Sequence, residues 1–394
     1  MILAINSGSS SIKFSLYEQG NTLAKIFFGE ISRIGSSDIA FTFGSATTQR
    51  KHNLFITVTD YPSAIGALLD WIEKRVDVTR LAAIGHRIVH GMKLSQTSLV
   101  TEEILNHLKE TAPYDPDHLP YEIKLIEAFG KMYPTVLQFV CFDTAFHHDM
   151  PRKATLLPIP RRFDALGVHR YGFHGLSFQY LMVELEKSNG KSAANGRIIL
   201  AHLGSGASIA AVYQGKSIDT SMGFTPASGL PMSTRSGDLD PGTAWFMMKH
   251  ERLSPDQFNH LVNHEAGLLG ISETSGDMQQ LLKQESADVR SAEAIEFFCY
   301  YVKKQIGAYA AALGGLDRLI FSGGIGENSP VIRARICEGL GFLGIELDET
   351  LNKKNTTVIS TDATRVVTQV IPTDEELMIA TIVNKFVADI VIEN

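Results

Sequence analysis

Residues 2–16 read ILAINSGSSSIKFSL: four apolar residues, a tip of small polar ones, then Ile12, Phe14 and Leu16 alternating with Lys13 and Ser15. An apolar run, a small-residue turn and a period-two run predict a β-hairpin. Small residues let backbone N–H groups approach an anion closely, and Lys13 adds a point charge. The stretch lacks the Gly-Lys-Ser/Thr ending of a Walker A loop, and no helix follows it. Taken alone, an ordinary Ser/Gly turn is the plainer reading.

A second copy changes that reading. Residues 199–213 read ILAHLGSGASIAAVY, and at a constant offset they match Ile2, Leu3, Ala4, Ser11 and Ile12. An apolar run again enters a small tip, Gly204-Ser205-Gly206-Ala207-Ser208, and an apolar strand leaves it. A repeat so widely spaced points to two similar halves, since a solenoid would repeat every few dozen residues. Two related domains, each offering a hairpin tip to a shared cleft, would form a phosphate clamp.

With 394 residues, the chain exceeds the size at which one core stops growing, so two domains are expected. The net charge of −7 and the absence of a Lys/Arg run argue against a nucleic-acid partner. Cys141, Cys299 and Cys337 are far apart in apolar or helical contexts, as buried thiols of a reducing compartment would be. Neither a basic segment followed by an apolar core nor a bilayer-length apolar stretch is present, so a soluble, cytoplasmic protein without a membrane partner is expected.

Further strands are expected over residues 25–31, 39–43 and 54–58, then a helix over 62–76 and a strand over 81–89. Helices over 101–111 and 121–129 lead to a buried strand over 135–142. Strands first and alternating helices and strands afterwards indicate a mixed α/β sheet. Residues 149–163, rich in Pro and Arg, read as an aperiodic crossing between domains. After a helix over 176–188 and the second hairpin comes a loop of small and polar residues, 224–240, too long for a bare connector. Later helices are expected over 243–250, 255–263, 277–283, 292–313, 330–340 and 374–391, with strands over 319–321 and 366–371.

Several residues stand where chemistry is done. Arg87, at the end of an apolar strand, needs a carboxylate or phosphate partner, either from a ligand or from its own chain. Asp143, at the exit of the next strand, either holds Mg²⁺ or positions a nucleophile, or else caps Thr144-Ala145-Phe146. His169-Arg170-Tyr171-Gly172-Phe173-His174-Gly175 is an aromatic and basic cluster bracketed by glycines, suited to positioning an anion. Arg235 in the long loop reads equally as a solvated arginine or as a finger on a transferring phosphoryl group. Gly323-Gly324-Ile325-Gly326-Glu327-Asn328 lacks the G-x-G-x-x-G spacing of a dinucleotide fingerprint, which disfavours an oxidoreductase. A glycine loop opening into a helix still suits a nucleotide.

INSGSSSIKF, GHRIVHG, FDTAFH, RYGFHG, HLGSGASIAAV, DTSMGFTP, TRSGDLDPG, GGIGENSP and IPTDEEL occur in that order, from residue 1 to about residue 380. This series resembles the acetate/propionate kinase family. The resemblance implies an α/β fold of duplicated ribonuclease-H-like domains, the actin-like ATPase architecture, with a cleft between the copies. The expected domains are 1–148 with 381–394, and 149–380. It also implies a homodimer, acetate or propionate and ATP as small-molecule substrates, and the reaction ATP + acetate ⇌ ADP + acetyl phosphate with Mg²⁺ (or Mn²⁺).

Carried over motif by motif, the resemblance makes Asn6 and Glu375 residues of the metal site and Lys13 an ATP contact. Arg87 would bind the acyl carboxylate in an apolar pocket of Val89, Tyr114, Phe173 and Pro226. Asp143 would be the active-site aspartate, with His174 and Arg235 stabilising the transferring phosphoryl group. His202, Leu203, Gly204, Ser205 and Gly206 would line the phosphates. Asp277, Met278 and Gln279, with Gly324, Ile325, Gly326, Glu327 and Asn328, would hold adenosine. The first hairpin tip would meet the transferring end and the second would steady the remaining phosphates. Asp115 replaces the family's active-site histidine, unless His118 supplies it. Ser205 replaces an Asn, Met92 a glycine, Leu176 and Phe178 a Thr and a His, and Gln279 an arginine. A nucleotide clamp without kinase activity is the competing reading, and Arg87 with the RYGFHG cluster tells against it, since a clamp needs no carboxylate pocket.

Overall fold

Every residue of the first strand, β1 (Ile2–Ser7), is buried, as befits a strand with neighbours on both sides and cover on both faces. The computed structural model describes residues 1–8, 10–20, 22–48, 50–56 and 58–393, so Ser9 in the first tip lies outside the described residues. The chain forms two units, Met1–Ala145 with Asp374–Asn394, and Phe146–Thr373.

In the first unit β1 is followed by β2 (Ser11–Glu18), β3 (Ala24–Ser32), β4 (Ala40–Ser45), β5 (Lys51–Leu54), β6 (Ala83–Ile88), β7 (Ser98–Leu99) and β8 (Leu137–Phe142). They form one sheet of order β5-β4-β3-β2-β1-β6-β8-β7. β1 and β2 are the expected hairpin, with Asn6 opposite Lys13. β6 runs parallel to β1, and β8 parallel to β6. The strand expected over 54–58 is corrected to Lys51–Leu54; Thr57 lies outside the described residues.

Helix α1 (Tyr61–Arg75) covers one face of this sheet. Asp60 and Ser63 close a capping box, with Pro62 in the first turn, where its missing N–H costs nothing. Its buried face of Ala64, Ile65, Leu68, Trp71 and Ile72 sets Trp71 among Phe14, Phe27, Phe41 and Phe43. Helix α2 (Leu119–Met132) adds Leu125 and Phe129 to the same core. On β6, Gly85 makes room for the C-terminal helix (Glu375–Glu393), since a Cβ there would lie 2.5 Å from Ile379 and 2.8 Å from Val383. That close approach brings the start of the helix to the end of β1.

The second unit repeats the design. β9 (Arg197–Leu203), β10 (Ala207–Tyr213), β11 (Lys216–Thr220), β12 (Arg318–Ser322) and β13 (Val367–Val370) lie in the order β11-β10-β9-β12-β13. β9–β10 is antiparallel, while β9–β12 and β12–β13 are parallel. This is the pattern of β3-β2-β1-β6-β8 in the first unit, so the two similar halves expected from the repeat are present, in the ribonuclease-H-like arrangement that the family resemblance implies. Helices α3 (Gly175–Asn189), α4 (Met278–Gln284), α5 (Gly323–Asn328) and α6 (Pro330–Cys337) carry or flank the candidate site. Two expectations are corrected. Residues 323–328 are helix α5 itself, entered directly from β12, not a loop before a helix. The aperiodic crossing contains two short helices, Arg152–Thr155 and Arg161–Ala165, each begun at a proline.

Candidate active site

In the first unit the ends of β1, β6 and β8 and the start of the C-terminal helix assemble one polar chain. Asp143 is fully buried just beyond β8, and Arg87 grips it from β6 through Nη2 at 2.5 Å and Nε at 3.1 Å. Arg87 Nη1 donates to Asn6 Oδ1 at 3.0 Å, and Asn6 Nδ2 donates to Glu375 Oε2 and Glu376 Oε1, both at 2.8 Å. Burial opposes the Arg87 charge, but Asp143 and Glu375 outweigh it and hold the guanidinium protonated more firmly than usual. Glu376 also shifts upward, which for a carboxyl disfavours the charged form: burial and the charge of Glu375 raise it above the ordinary range, while Asn6 and Lys13 oppose the rise.

A guanidinium has five N–H donors, and three of these meet Asp143 and Asn6. One hydrogen on each Nη is left, the edge that matches a carboxylate in a bidentate fork. Arg87 is therefore both an internal ion-pair partner and a donor with capacity for a ligand.

Divalent metal can be tested against this group. Mg²⁺ takes oxygen ligands, commonly one or two carboxylates with water and substrate phosphates. Glu375 and Glu376 supply two adjacent carboxylates, and a cation there would relieve the mutual repulsion that raises Glu376. The donor set fits. Asn6, expected at the metal, turns its amide nitrogen to the two carboxylates and its oxygen to Arg87, so here it orients the carboxylates.

Asp115 and His118 pair, His118 Nδ1 lying 2.8 Å from Asp115 Oδ1. Glu122, one turn further along α2 and 1% exposed, accepts the Val89 N–H. Burial, reinforced by Asp115, pushes its carboxyl well above the usual range. Asp115 and His118 precede the helix that carries Glu122, so no helical spacing links the three in the sequence. Val89 is buried, whereas Tyr114 is 53% exposed on a short 3₁₀ turn.

In the second unit the hairpin tip, the RYGFHG cluster and the long loop converge. A Cβ on Gly206 would lie 3.3 Å from His174 Nε2 and 3.7 Å from Arg235 Nη1, so this position suits glycine. The second tip thus sits among the residues expected to stabilise the transferred group. His174 begins α3 in the left-handed region (φ 59°), a conformation that costs a non-glycine residue about 1–3 kcal/mol and concentrates at functional sites. Its Nδ1 lies 2.8 Å from Ser208 Oγ, and its ring stacks on His202 with centroids 4.3 Å apart. His202 Nδ1 meets Ser177 Oγ at 2.8 Å, and Ser177 accepts from Thr373 Oγ1 at 2.9 Å. Arg235 Nη1 donates to the Pro226 carbonyl at 3.2 Å. Phe173 is buried.

Beside the tip lies a pocket of about 440 Å³, within the range of ligand sites. Of the residues expected at the nucleotide, Gly204, Ser205, Asp277, Met278, Gln279, Gly324, Ile325 and Asn328 line it, with Ser233, Leu282 and Ser329 added. His202, Leu203, Gly206, Gly326 and Glu327 of the same unit do not line it, and Lys13 belongs to the first unit. Leu203 is fully buried in its strand, and Gly326 is buried and gives its carbonyl to Arg333. The Glu327 carboxylate turns inward to accept the Gly323 and Thr373 N–H groups at 2.9 and 3.1 Å. It locks α5 instead of facing a ligand.

The loop bearing His174 is seated on a buried histidine. His147 meets the Phe173 carbonyl through Nε2 at 3.2 Å and Ser217 Oγ through Nδ1 at 2.8 Å, and the carbonyl contact requires a proton on Nε2. Burial pushes the His147 ring down to about 4, and the same cause acts on His86 in the first unit. Because the folded value lies below the unfolded one of about 6.5, stability from these neutral rings is complete above that pH and is lost as pH falls towards 4. Urea titrations between pH 7 and 4 are therefore expected to show falling unfolding free energy. His147→Gln is expected to flatten that slope, and a curve parallel to the wild type would remove His147 from it.

Comparison with known proteins follows from this geometry. The model of the Acetokinase family matches residues 1–381. The acetate kinase of Rhodopseudomonas palustris (strain TIE-1) is 41% identical over 386 residues, covering 96% of this chain and 96% of that one. The crystal structure of Porphyromonas gingivalis acetate kinase superposes with a TM-score of 0.86 at 35% identity, over 96% of this chain and 98% of that one. A propionate kinase from Francisella tularensis superposes with a TM-score of 0.89 at 34% identity, over 97% and 98%.

Proposed function

The chain belongs to the acetokinase family, and on that premise we propose that it transfers the γ-phosphoryl group of ATP reversibly to the carboxylate of acetate. A carboxylate oxygen attacks the γ-phosphorus, the bond to the β,γ-bridging oxygen breaks, and acetyl phosphate and ADP result. No proton has to move, so the chain's work is positioning and charge neutralisation.

The observation that carries the reading is the guanidinium edge of Arg87. It is anchored by Asp143 and Asn6 and keeps one N–H on each terminal nitrogen for the acyl carboxylate. The second unit by itself carries a pocket of nucleoside size beside a glycine tip with His174 and Arg235 against it, which is proposed to take the nucleotide. With Ser208 Oγ donating to Nδ1, the ring proton of His174 would sit on Nε2, the nitrogen nearer Gly206. That N–H and the Arg235 guanidinium are the donors proposed to meet charge on the phosphoryl oxygens. Glu375 and Glu376 would hold Mg²⁺, which when bound offsets phosphate charge.

Propionate is the alternative acceptor, because one methylene in an apolar pocket changes discrimination by only about 1–3 kcal/mol. The homodimer implied by the family is in keeping with the exposed, adjacent Trp245 and Phe246. No helix among the described residues is long and apolar enough to cross a membrane, in keeping with the proposed cytoplasmic location.

Trapping the acyl phosphate as its hydroxamate tests the activity. With ATP and Mg²⁺, product is expected from acetate, less from propionate and little from butyrate, and EDTA is expected to abolish it. Absence of product from every acid would refute the reading, while propionate ahead of acetate would reassign the substrate.

A further inference from the structure

We propose that Arg333 is the residue that positions the nucleotide-binding helix α5. The inference rests on the reading of the α4–α5 pocket as the nucleotide site. Arg333 lies on α6, three residues beyond the GGIGENSP motif and outside it, and is fully buried. All five of its N–H donors meet carbonyl oxygens. Nη1 donates to Gly326 O at 2.8 Å and Glu327 O at 3.0 Å, while Nε donates to Asn352 Oδ1 at 2.8 Å. Nη2 donates to Asn352 O at 2.9 Å and Asn355 Oδ1 at 2.6 Å.

Burying a guanidinium among neutral groups is costly: burial lowers its pKa, and the acceptors return the lost hydration only if all are in place. Such a cost is tolerated where the fixed geometry matters. Here two of the acceptors are carbonyls at the C-terminal end of α5, where a cation is favoured by the backbone dipoles. The same helix presents Gly324, Ile325 and Asn328 to the pocket.

A helix of six residues makes few hydrogen bonds of its own and cannot hold its position unaided. Its N-terminal end is fixed by Glu327 turning back to Gly323 and to Thr373. Its C-terminal end is fixed by Arg333. The left-handed Asn355 (φ 52°) and the buried Asn352, which also donates to Pro330 O at 2.9 Å, close the far side of the clamp. Lysine in place of Arg333 keeps the charge but cannot reach five carbonyls in one plane.

The test is Arg333→Lys, with ADP affinity by calorimetry, separate KM values for ATP and acetate, and thermal melting. ADP binding is expected to weaken and the KM for ATP to rise about tenfold or more, a loss of about 1.4 kcal/mol. The acetate KM is expected to stay within about twofold of the wild type, so the KM split distinguishes positioning from general damage. A lower melting temperature with unchanged ADP affinity, or equal rises in both KM values, overturns the proposal. If Arg333→Lys does not fold, Asn355→Ala removes a single acceptor. It is expected to raise the KM for ATP about threefold, and no rise overturns the proposal. Wild-type protein that binds no ADP would instead refute the nucleotide reading.

Discussion

Replacing Arg235 by alanine is expected to lower kcat by about 10³-fold or more, as loss of a finger-type arginine does, while the protein stays folded. The loop that carries Arg235 is held by its backbone. Met232 N–H meets Arg235 O at 3.0 Å, Ser236 N–H meets Val262 O at 2.9 Å, and Ala266 N–H meets Thr234 O at 3.0 Å. Gly267, at φ +60°, lets the backbone of Met232 and Arg235 press against it, where a Cβ would lie 2.2 Å from Met232 O. None of these contacts uses the guanidinium. A group that contributes mainly when charge develops on the phosphoryl oxygens affects kcat and kcat/KM together and substrate affinity little. Steady-state kinetics with a melting curve as control decide the matter. A near-wild-type rate in the folded variant would take Arg235 out of the mechanism.

The duplication could be read from the chain because both hairpins keep the same apolar approach, Ile2-Leu3-Ala4 and Ile199-Leu200-Ala201, whereas the ribonuclease-H-like form of each half came from the family resemblance. The repeat was nonetheless less exact than a constant offset implied. Ser7 pairs with Ile12 in the first hairpin, whereas Leu203 pairs with Ala207 in the second. With the entering strands aligned, Ala207 is therefore the counterpart of Lys13, and the Ser11–Ser208 match is coincidental. A shorter turn shifts every later position of the leaving strand, and no comparison of apolar runs detects that. The short helices at 152–155 and 161–165 were missed for a related reason. Pro151 and Pro160 read as breaks but start helices, since the first turn needs no N–H from them.

Among candidate site residues, those at strand ends and in glycine-rich turns were legible, because such positions carry chemistry in α/β folds. Their partners were not. Asn6 meets Glu375 and Glu376 across almost the whole chain, and Arg333 meets Asn352 and Asn355 from a helix with an unremarkable pattern. Glu327 stood in a promising motif yet turns inward, because the first N–H groups of a short helix need an acceptor. Side-chain direction at a helix start is settled by tertiary packing, which local spacing does not encode.

Replacing Arg87 by alanine is expected to raise the KM for acetate about 10²-fold or more, since two charge-assisted hydrogen bonds to the acyl carboxylate are each worth about 1.5–3 kcal/mol. The KM for ATP should change little. A second effect accompanies it: Asp143 is fully buried and loses both of its contacts to Arg87. Removing one partner of a buried pair typically destabilises by about 3–5 kcal/mol, so a raised KM alone could reflect a loosened unit. The double variant Arg87→Ala/Asp143→Asn separates the two. Neutralising the stranded carboxylate is expected to recover much of the lost stability in urea titrations, while the acetate KM stays high because the guanidinium edge is still missing. A KM that recovers with stability would assign Arg87 a structural role, and an unchanged KM in the single variant would move the carboxylate site elsewhere. Only a persistent KM defect in a restabilised protein identifies Arg87 as the acyl-binding residue.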